Sequence, residues 1–186
     1  MIWLKMNIFF LDLDPKVCAQ MDNSKHVVKM ILEYSQLLST AHRVLDGVEY
    51  IDRTSNGRKI KRWKLEDERE HHLMKATHIN HPSAVWTRQS KINYTWLYAL
   101  LNELMIEYTF RYGKIHSCEK IMSWLIDCPN NMPKTEWTEP AQAMPEDIRI
   151  KNDAVKAYRN YYINNKQHLA SWDGKVNSRD APSWWK

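Results

Sequence analysis

Glycine is scarce in this chain, with only 4 among 186 residues. Nucleotide-binding folds of the βαβ type depend on glycine-rich loops, which let the backbone approach a phosphate closely. The sequence contains no loop of that kind. The scarcity of glycine therefore argues against this class of fold.

Long hydrophobic runs are also missing. No apolar stretch approaches the roughly 18 residues that span a membrane, so we expect no membrane partner. The start, MIWLKMNIFFLDLD, lacks a small-residue cleavage site, and we expect no signal peptide. Met6 is an alternative natural start. The three cysteines (Cys18, Cys118 and Cys128) cannot all pair within the chain, which indicates a reducing compartment.

The residues that are present suit a globular protein. Hydrophobic residues make up 44% of the chain, which is enough to build a core in one domain. The net charge is +5, and the isoelectric point lies near 9.0. A basic chain accepts a polyanionic partner, and nucleic acid is the first to consider.

Apolar periodicity predicts two long helices. In residues 23–45 the apolar positions recur in steps of three and four: Val27, Ile31, Tyr34, Leu38, Ala41 and Leu45. We expect this helix to end near Asp46, with Gly47 as a left-handed cap. A second helix opens at Pro82 or Ser83 and runs to Gly113. About 30 residues is long for one globular helix, so we expect a kink or a break.

The remaining elements are shorter. Residues 7–13 form a buried strand or an extended entry segment, and helices follow at residues 117–127 and 153–172. Asn56-Gly57 lies between two alternating segments, which predicts a β-hairpin at about residues 48–66. We therefore expect a mainly α fold, with residues 1–172 as a single domain built on two long helices plus shorter C-terminal helices and the hairpin insertion. Residues 173–186 form a polar, tryptophan-containing tail.

A polar stripe on the first helix supplies the catalytic candidates, His26, Lys29 and Glu33. Lys29 and Glu33 are one turn apart and can pair. In a cleft, burial could tune either group for acid–base or Schiff-base chemistry. On a solvated face these residues would have no chemical role, and this alternative stays open. Further along, the spacing of Glu103, Glu107 and Arg111 predicts an exposed ion-pair ladder.

Basic and imidazole side chains flank both ends of the second helix. They are the candidate phosphate or DNA contacts: His78, His81, Arg88, Arg111, Lys114 and His116. Helix capping and neutralisation of the helix dipole are the alternatives. The pairs His78-x-x-His81 and His116-x-Cys118 leave a zinc site open, but neither C-x-x-C nor H-E-x-x-H occurs. We therefore expect no metal and no cofactor.

Four segments carry a resemblance to known proteins: NIFFLDLDP, KHVVKMILEYSQLLSTA, KATHINHPSAVWTRQSKINYTWL and EYTFRYGKIHS. They resemble blocks of an uncharacterised family of phage-encoded proteins. The resemblance implies a viral origin and a location in the cytoplasm of the infected host cell. It implies no activity.

The same segments also resemble pyrimidine-dimer DNA glycosylases of the phage endonuclease V type, which are small, basic and helical. The corresponding features here are Lys29, His81, and Glu107, Arg111 and Gly113 at a helix end. That family uses the N-terminal amine as its nucleophile, beside a glutamate. In this chain Ile2 or Asn7 is too large for easy removal of the methionine before it, and Lys25 or His26 stands near the glutamate position. The resemblance then implies Lys29 or Lys25 in place of the amine, with Glu33 as the base.

Three functions follow from these observations. The first is a phage-encoded DNA-binding protein, with base excision of modified or damaged pyrimidines, by glycosylase/lyase-like chemistry, as the candidate activity. The second is a non-enzymatic phage protein that binds and modulates a host protein through Trp184 and Trp185. The third is an enzyme of nucleotide metabolism. For the first, we expect the polar stripe to face His81 and Arg111 across a groove between the two long helices.

Overall fold

Helices dominate the regular structure in the computed structural model, which describes residues 6–185. The α-helices and β-strands are α1 (Pro15–Met21), α2 (Ser24–Asp46), β1 (Val48–Arg53), β2 (Lys59–Lys64), α3 (Arg69–His72), α4 (Pro82–Thr87), α5 (Lys91–Tyr112), α6 (Met122–Leu125) and α7 (Ala154–Asn165). Short 3₁₀ helices cover Ser117–Ile121, Glu146–Ile148 and Gln167–Leu169. The fold is mainly helical with one small antiparallel sheet, as the sequence predicts. Across residues 6–185, none of the helices is both long enough and apolar enough to cross a membrane.

The segment before α1 is buried but irregular. Phe9, Phe10 and Leu11 are almost inaccessible to solvent. The backbone N–H of Phe9 donates to the hydroxyl of Tyr34 on α2, 3.1 Å away, instead of to a neighbouring strand. The predicted burial is confirmed, and the strand alternative is wrong because helices surround this segment.

Helix α2 runs through the middle of the protein. Asn23 caps its start by accepting hydrogen bonds from the backbone N–H groups of Lys25 and His26. The exposed residues of this helix are Lys25, Val28, Lys29 and Leu32. The predicted apolar face is confirmed. The polar stripe is not simply the solvated side, because His26 and Glu33 are also buried.

The second predicted helix is broken, as its length suggests. Helix α4 ends at Thr87, and α5 begins after Ser90, whose hydroxyl accepts from the backbone N–H of Asn93 at 3.2 Å. Gly113 ends α5 with a φ of 65°, the left-handed conformation that glycine favours. Gly47, which ends α2, has a φ of −91°, so the predicted left-handed cap at Gly47 is wrong. A side chain at Gly47 would instead collide with the carbonyl oxygen of Arg43, 2.5 Å from an added Cβ.

The predicted hairpin is present. Strands β1 and β2 pair antiparallel, with Val48 opposite Lys64 and Arg53 opposite Lys59. Gly57 has a φ of 79° in the loop between them. Trp63 is buried at the base, and the guanidinium of Arg43 on α2 donates to its carbonyl oxygen at 3.0 Å.

The C-terminal helices are shorter than predicted. The region 117–127 forms one 3₁₀ turn followed by α6, and α7 stops at Asn165. Asparagine has low helix propensity, and Asn164 and Asn165 come at that end. The proline-rich segment 129–145 is irregular apart from isolated turns, and the backbone N–H of Lys91 donates to the carbonyl oxygen of Lys134.

The tail folds back onto the helical body. The indole of Trp172 donates to the carbonyl oxygen of Met21 at 2.8 Å, and Trp184 contacts the ring of Tyr162 edge to face. Trp185 packs against Trp172. Trp184 and Trp185 are therefore part of the packed structure, and their predicted role as exposed anchors for a host protein is not supported.

The predicted exposed ion-pair ladder is wrong at two of its three residues, because Glu107 and Arg111 are buried. Nε of Arg111 donates to the Glu107 carboxylate at 2.6 Å, and its two terminal nitrogens donate to the carbonyl oxygens of Asp22 and Gln20, each at 3.0 Å. Arg179 of the tail donates to the other Glu107 oxygen at 2.9 Å. Arg111 therefore holds helices together, and the prediction that it binds phosphate is wrong.

We expect Arg111→Met to destabilise the protein by about 3–5 kcal/mol, because it breaks the buried ion pair with Glu107 and removes the donor to two backbone carbonyl oxygens. The free energy of unfolding, measured by urea denaturation, checks this. Lys114→Met is the matched control, since Lys114 is exposed near the same helix end and should change stability by no more than about 0.5 kcal/mol. A loss below about 1 kcal/mol for Arg111→Met would contradict the structural role.

Candidate functional site

An open groove of about 530 Å³ lies along the first half of α2. The helix contributes one side of it, and the segment before α1 and the regions before α4 and after α5 contribute the rest. The groove is lined by Met6, Val28, Lys29, Leu32, Glu33, Gln36, His78, His116 and Ser117. Its size is typical of a pocket for a small molecule or a single nucleotide.

Lys29 and Glu33 both line the groove. They lie one helical turn apart, and the Lys29 Nζ is 2.9 Å from Glu33 Oε1. The side chain of Lys29 is 51% exposed, whereas that of Glu33 is only 8% exposed. An accessible amine therefore lies over a buried carboxyl group.

The carboxyl group of Glu33 is held in an unfavourable environment. Burial raises its pKa, and the nearby charges of Lys29, His26 and His78 oppose the rise only in part. Glu33 Oε2 is buried and has no hydrogen-bond partner among the described residues. A carboxyl with a raised pKa can exchange a proton nearer to neutral pH than an exposed glutamate does.

Two histidines approach from outside α2. Nδ1 of His116 accepts from the backbone N–H of Cys118 at 3.1 Å, so the neutral ring carries its proton on Nε2. Burial lowers the pKa of His116. His78 has a φ of 49°, a left-handed conformation that a non-glycine residue seldom adopts, and its Nδ1 lies 2.8 Å from the Thr77 hydroxyl. The loop therefore holds the ring of His78 at the groove in a strained backbone.

The groove also has an apolar side that sequence reasoning missed. Val28 is 39% exposed and Leu32 is 48% exposed, one turn apart on α2. The sequence did carry a signal for this apolar side: Val28 and Leu32 lie beside the polar stripe and outside the main apolar face of α2. Such a surface could pack against the face of a base or another flat apolar group.

His26, one of the three catalytic candidates, lies in the core. Its ring stacks on Phe9, and its Nδ1 hydrogen-bonds the hydroxyl of Tyr162. That hydroxyl donates to Asp22 Oδ1 at 2.5 Å, so Nδ1 of His26 is the donor in the first bond. The buried ring of His26 cannot contact a ligand in the groove, so its predicted catalytic role is not supported. The histidine instead anchors the start of α2.

The other predicted phosphate contacts do not converge on the groove. His81 caps α4, since its Nδ1 accepts from the backbone N–H of Ser83 at 3.2 Å. Lys114 is exposed after α5. Arg88 is partly buried at the end of α4; desolvation lowers its pKa, and one terminal nitrogen is buried without a partner among the described residues. The predicted meeting of the stripe with His81 and Arg111 is wrong, because His78 and His116 lie at the groove in their place.

The two residue pairs considered for zinc, His78 with His81 and His116 with Cys118, are split by the fold. His78 and His116 line the groove, but His81 caps a helix and Cys118 is buried. Within residues 6–185, no group of three or more His, Cys, Asp or Glu side chains is placed to hold a metal ion.

Comparison of the chain with protein-family models, curated proteins and solved structures finds no match. The resemblances to phage-encoded proteins and to DNA glycosylases therefore stay predictions from the sequence. The groove itself offers an amine, a buried carboxyl and two imidazoles within one concave surface. Together these groups can bind an anion, transfer a proton or supply a nitrogen nucleophile.

The titration of Glu33 gives a prediction about stability. Because burial raises the pKa of this group, the folded protein binds the proton more tightly than the unfolded chain, whose pKa is about 4.3. The contribution of Glu33 to stability is therefore complete below about pH 4 and is lost as the pH rises through the raised folded value.

We expect Glu33→Gln, which does not titrate, to gain stability relative to the unaltered protein between about pH 4 and about pH 7. Urea denaturation of both proteins over this range measures the difference. If the unaltered protein instead gains on the variant as the pH rises, Glu33 is a carboxylate stabilised by its ion pair, and the account of its environment is wrong.

Proposed function

We propose that the chain is a DNA-binding protein whose groove receives a nucleotide extruded from the duplex. The proposed reaction is base excision of a modified or damaged pyrimidine, with glycosylase/lyase-like chemistry. The proposed phage origin and the pyrimidine preference rest on the resemblances of the sequence.

The pairing of Lys29 with Glu33 is the observation that carries the proposal. Base excision with a covalent intermediate needs a nitrogen nucleophile and a group that takes and returns a proton. The exposed Nζ of Lys29 and the buried carboxyl of Glu33 are 2.9 Å apart, within direct proton-transfer distance. The amide of Gln36, the hydroxyl of Ser117 and the aliphatic side chains of Val28 and Leu32 also line the groove, and such groups can contact a nucleobase.

The proposed reaction uses both groups. The carboxylate of Glu33 takes a proton from the Lys29 ammonium, and the free Nζ attacks C1′ of the extruded nucleotide. The bond from C1′ to the base breaks, and the base leaves with the electron pair and receives the proton held by Glu33. Release of the ring oxygen O4′, which takes a proton from the attacking nitrogen, then gives an imine between Nζ and C1′.

The imine gives a direct test. In a duplex with a single abasic site, the open-chain aldehyde condenses with Lys29 and releases water, and borohydride reduces the imine to a stable covalent adduct. We expect this adduct with the unaltered protein and its loss in Lys29→Met. Glu33→Gln should slow its formation by about 10²-fold or more. Gel electrophoresis measures the adduct, and mass spectrometry of its peptides locates it.

Lys25→Met is the matched control, since Lys25 is an exposed lysine one turn earlier on α2 and outside the groove lining. It should form the adduct like the unaltered protein. An adduct at Lys25, or equal trapping in Lys29→Met, would contradict the assignment. Binding of mononucleotides with no preference for an abasic duplex would favour a nucleotide-metabolism enzyme instead.

A further inference from the structure

The hairpin of β1 and β2 holds most of the excess positive charge of the chain. Residues 48–64 carry an excess of four positive charges, in a chain with a net charge of +5. The charged residues are Glu49, Asp52, Arg53, Arg58, Lys59, Lys61, Arg62 and Lys64. This concentration in so short a segment points to a polyanionic partner.

The hairpin projects from the body. Every residue of β1 except Asp52 is exposed, and Asp52 is only partly covered. Six residues of extended chain span about 20 Å, so the loop lies well away from the helices. Only the base is fixed, through buried Trp63 and its hydrogen bond from Arg43. The hairpin is therefore a two-stranded ribbon that projects from the body and is anchored to α2 at its base.

The two faces of the ribbon differ. Alternation along the strands puts Ile51, Arg53, Lys59 and Lys61 on one face. On the other face, Val48, Tyr50 and Lys64 line a cavity of about 640 Å³ together with the acidic residues of the segment 66–70. The first face is covered at the base, where Trp63 is buried, but its outer part is open to a large partner, and Ile51 there is 59% exposed.

The acidic residues nearby do not neutralise the end of the ribbon. Glu49 pairs with Lys61 at 2.8 Å. The carboxylates of Asp67 and Glu70 are engaged at the base by arginines. By contrast, three cations around the loop form no ion pair with any residue in 6–185: Arg53, Arg58 and Lys59.

We propose that this ribbon lies in the major groove of duplex DNA and is a second contact, separate from the nucleotide groove. The major groove is wide enough to admit a two-stranded β-ribbon. Arg58 and Lys59 then reach the phosphates that border it, while Ile51 faces the base edges. The choice of DNA as the polyanion rests on the proposed function.

The ribbon and the nucleotide groove are close enough for one duplex to contact both. Glu33 and the end of α2 at Asp46 are thirteen residues apart on one helix, which is about 20 Å along its axis. That length corresponds to about six base pairs. The loop of the ribbon extends up to about 20 Å beyond that point, so the two sites are at most about 40 Å apart, which about twelve base pairs span.

The double variant Arg58→Gln, Lys59→Gln tests the ribbon. Affinity for an intact duplex is measured over a series of salt concentrations. Each lost phosphate contact lowers the slope of log affinity against log salt by about 0.9, so we expect a slope smaller by about 2. Lys151→Gln, Lys156→Gln is the matched control, since both lysines are exposed and lie outside the hairpin. The control should keep the original slope.

A slope equal to that of the unaltered protein would overturn the inference, and so would tighter binding of single-stranded DNA than of duplex. Borohydride trapping with the unaltered protein tests the nucleotide groove separately. An adduct together with an unchanged slope in the hairpin variant overturns the ribbon alone. A reduced slope without any adduct supports the ribbon and overturns the proposed excision chemistry alone.

Discussion

A buried guanidinium must satisfy its hydrogen bonds inside the protein, and Arg111 imposes this constraint on the fold. Its Nε donates to Glu107 on the same helix, and its two terminal nitrogens tie the end of α5 to the carbonyl oxygens of Gln20 and Asp22 at the end of α1. Asp22 in turn accepts from Tyr162 on α7, to which His26 is bonded. This network fixes the start of α2 against three other helices. Lys29 and Glu33 follow within two turns, so the groove is positioned by polar residues that do not line it.

Local features of the fold could be predicted from the sequence because local interactions determine them. The apolar spacing of α2, the turn residues of the hairpin and the left-handed Gly113 each depend on neighbours within a few positions. The burial of Arg111 could not be predicted in this way. Its partner Asp22 lies 89 positions away, and an arginine four residues after a glutamate reads the same in an exposed helix as in a buried one. The Trp184 contact with Tyr162 is equally non-local.

In the candidate site, too, local features could be predicted from the sequence and non-local ones could not. The Lys29–Glu33 pair follows from helical spacing and could be predicted, whereas the burial of Glu33 beneath an exposed Lys29 depends on packing. The sequence predicted that His81 and Arg111 would face this helix, whereas the fold places His78 and His116 there. His78 reaches the groove through a strained loop conformation, while the nearby His81 is used to cap α4. His78, from the loop before α4, therefore lines the groove together with residues of α2.

The proposed chemistry depends most on Glu33, a buried carboxyl group whose pKa is raised by desolvation and lowered in part by Lys29. NMR titration of the glutamate side-chain carbons, with Glu33 assigned through Glu33→Gln, measures its pKa directly. The account predicts a value above the ordinary one of about 4.3, and a further rise in Lys29→Met, because the favourable charge of the lysine is lost. A pKa at or below the ordinary value, unchanged in Lys29→Met, would contradict the claim.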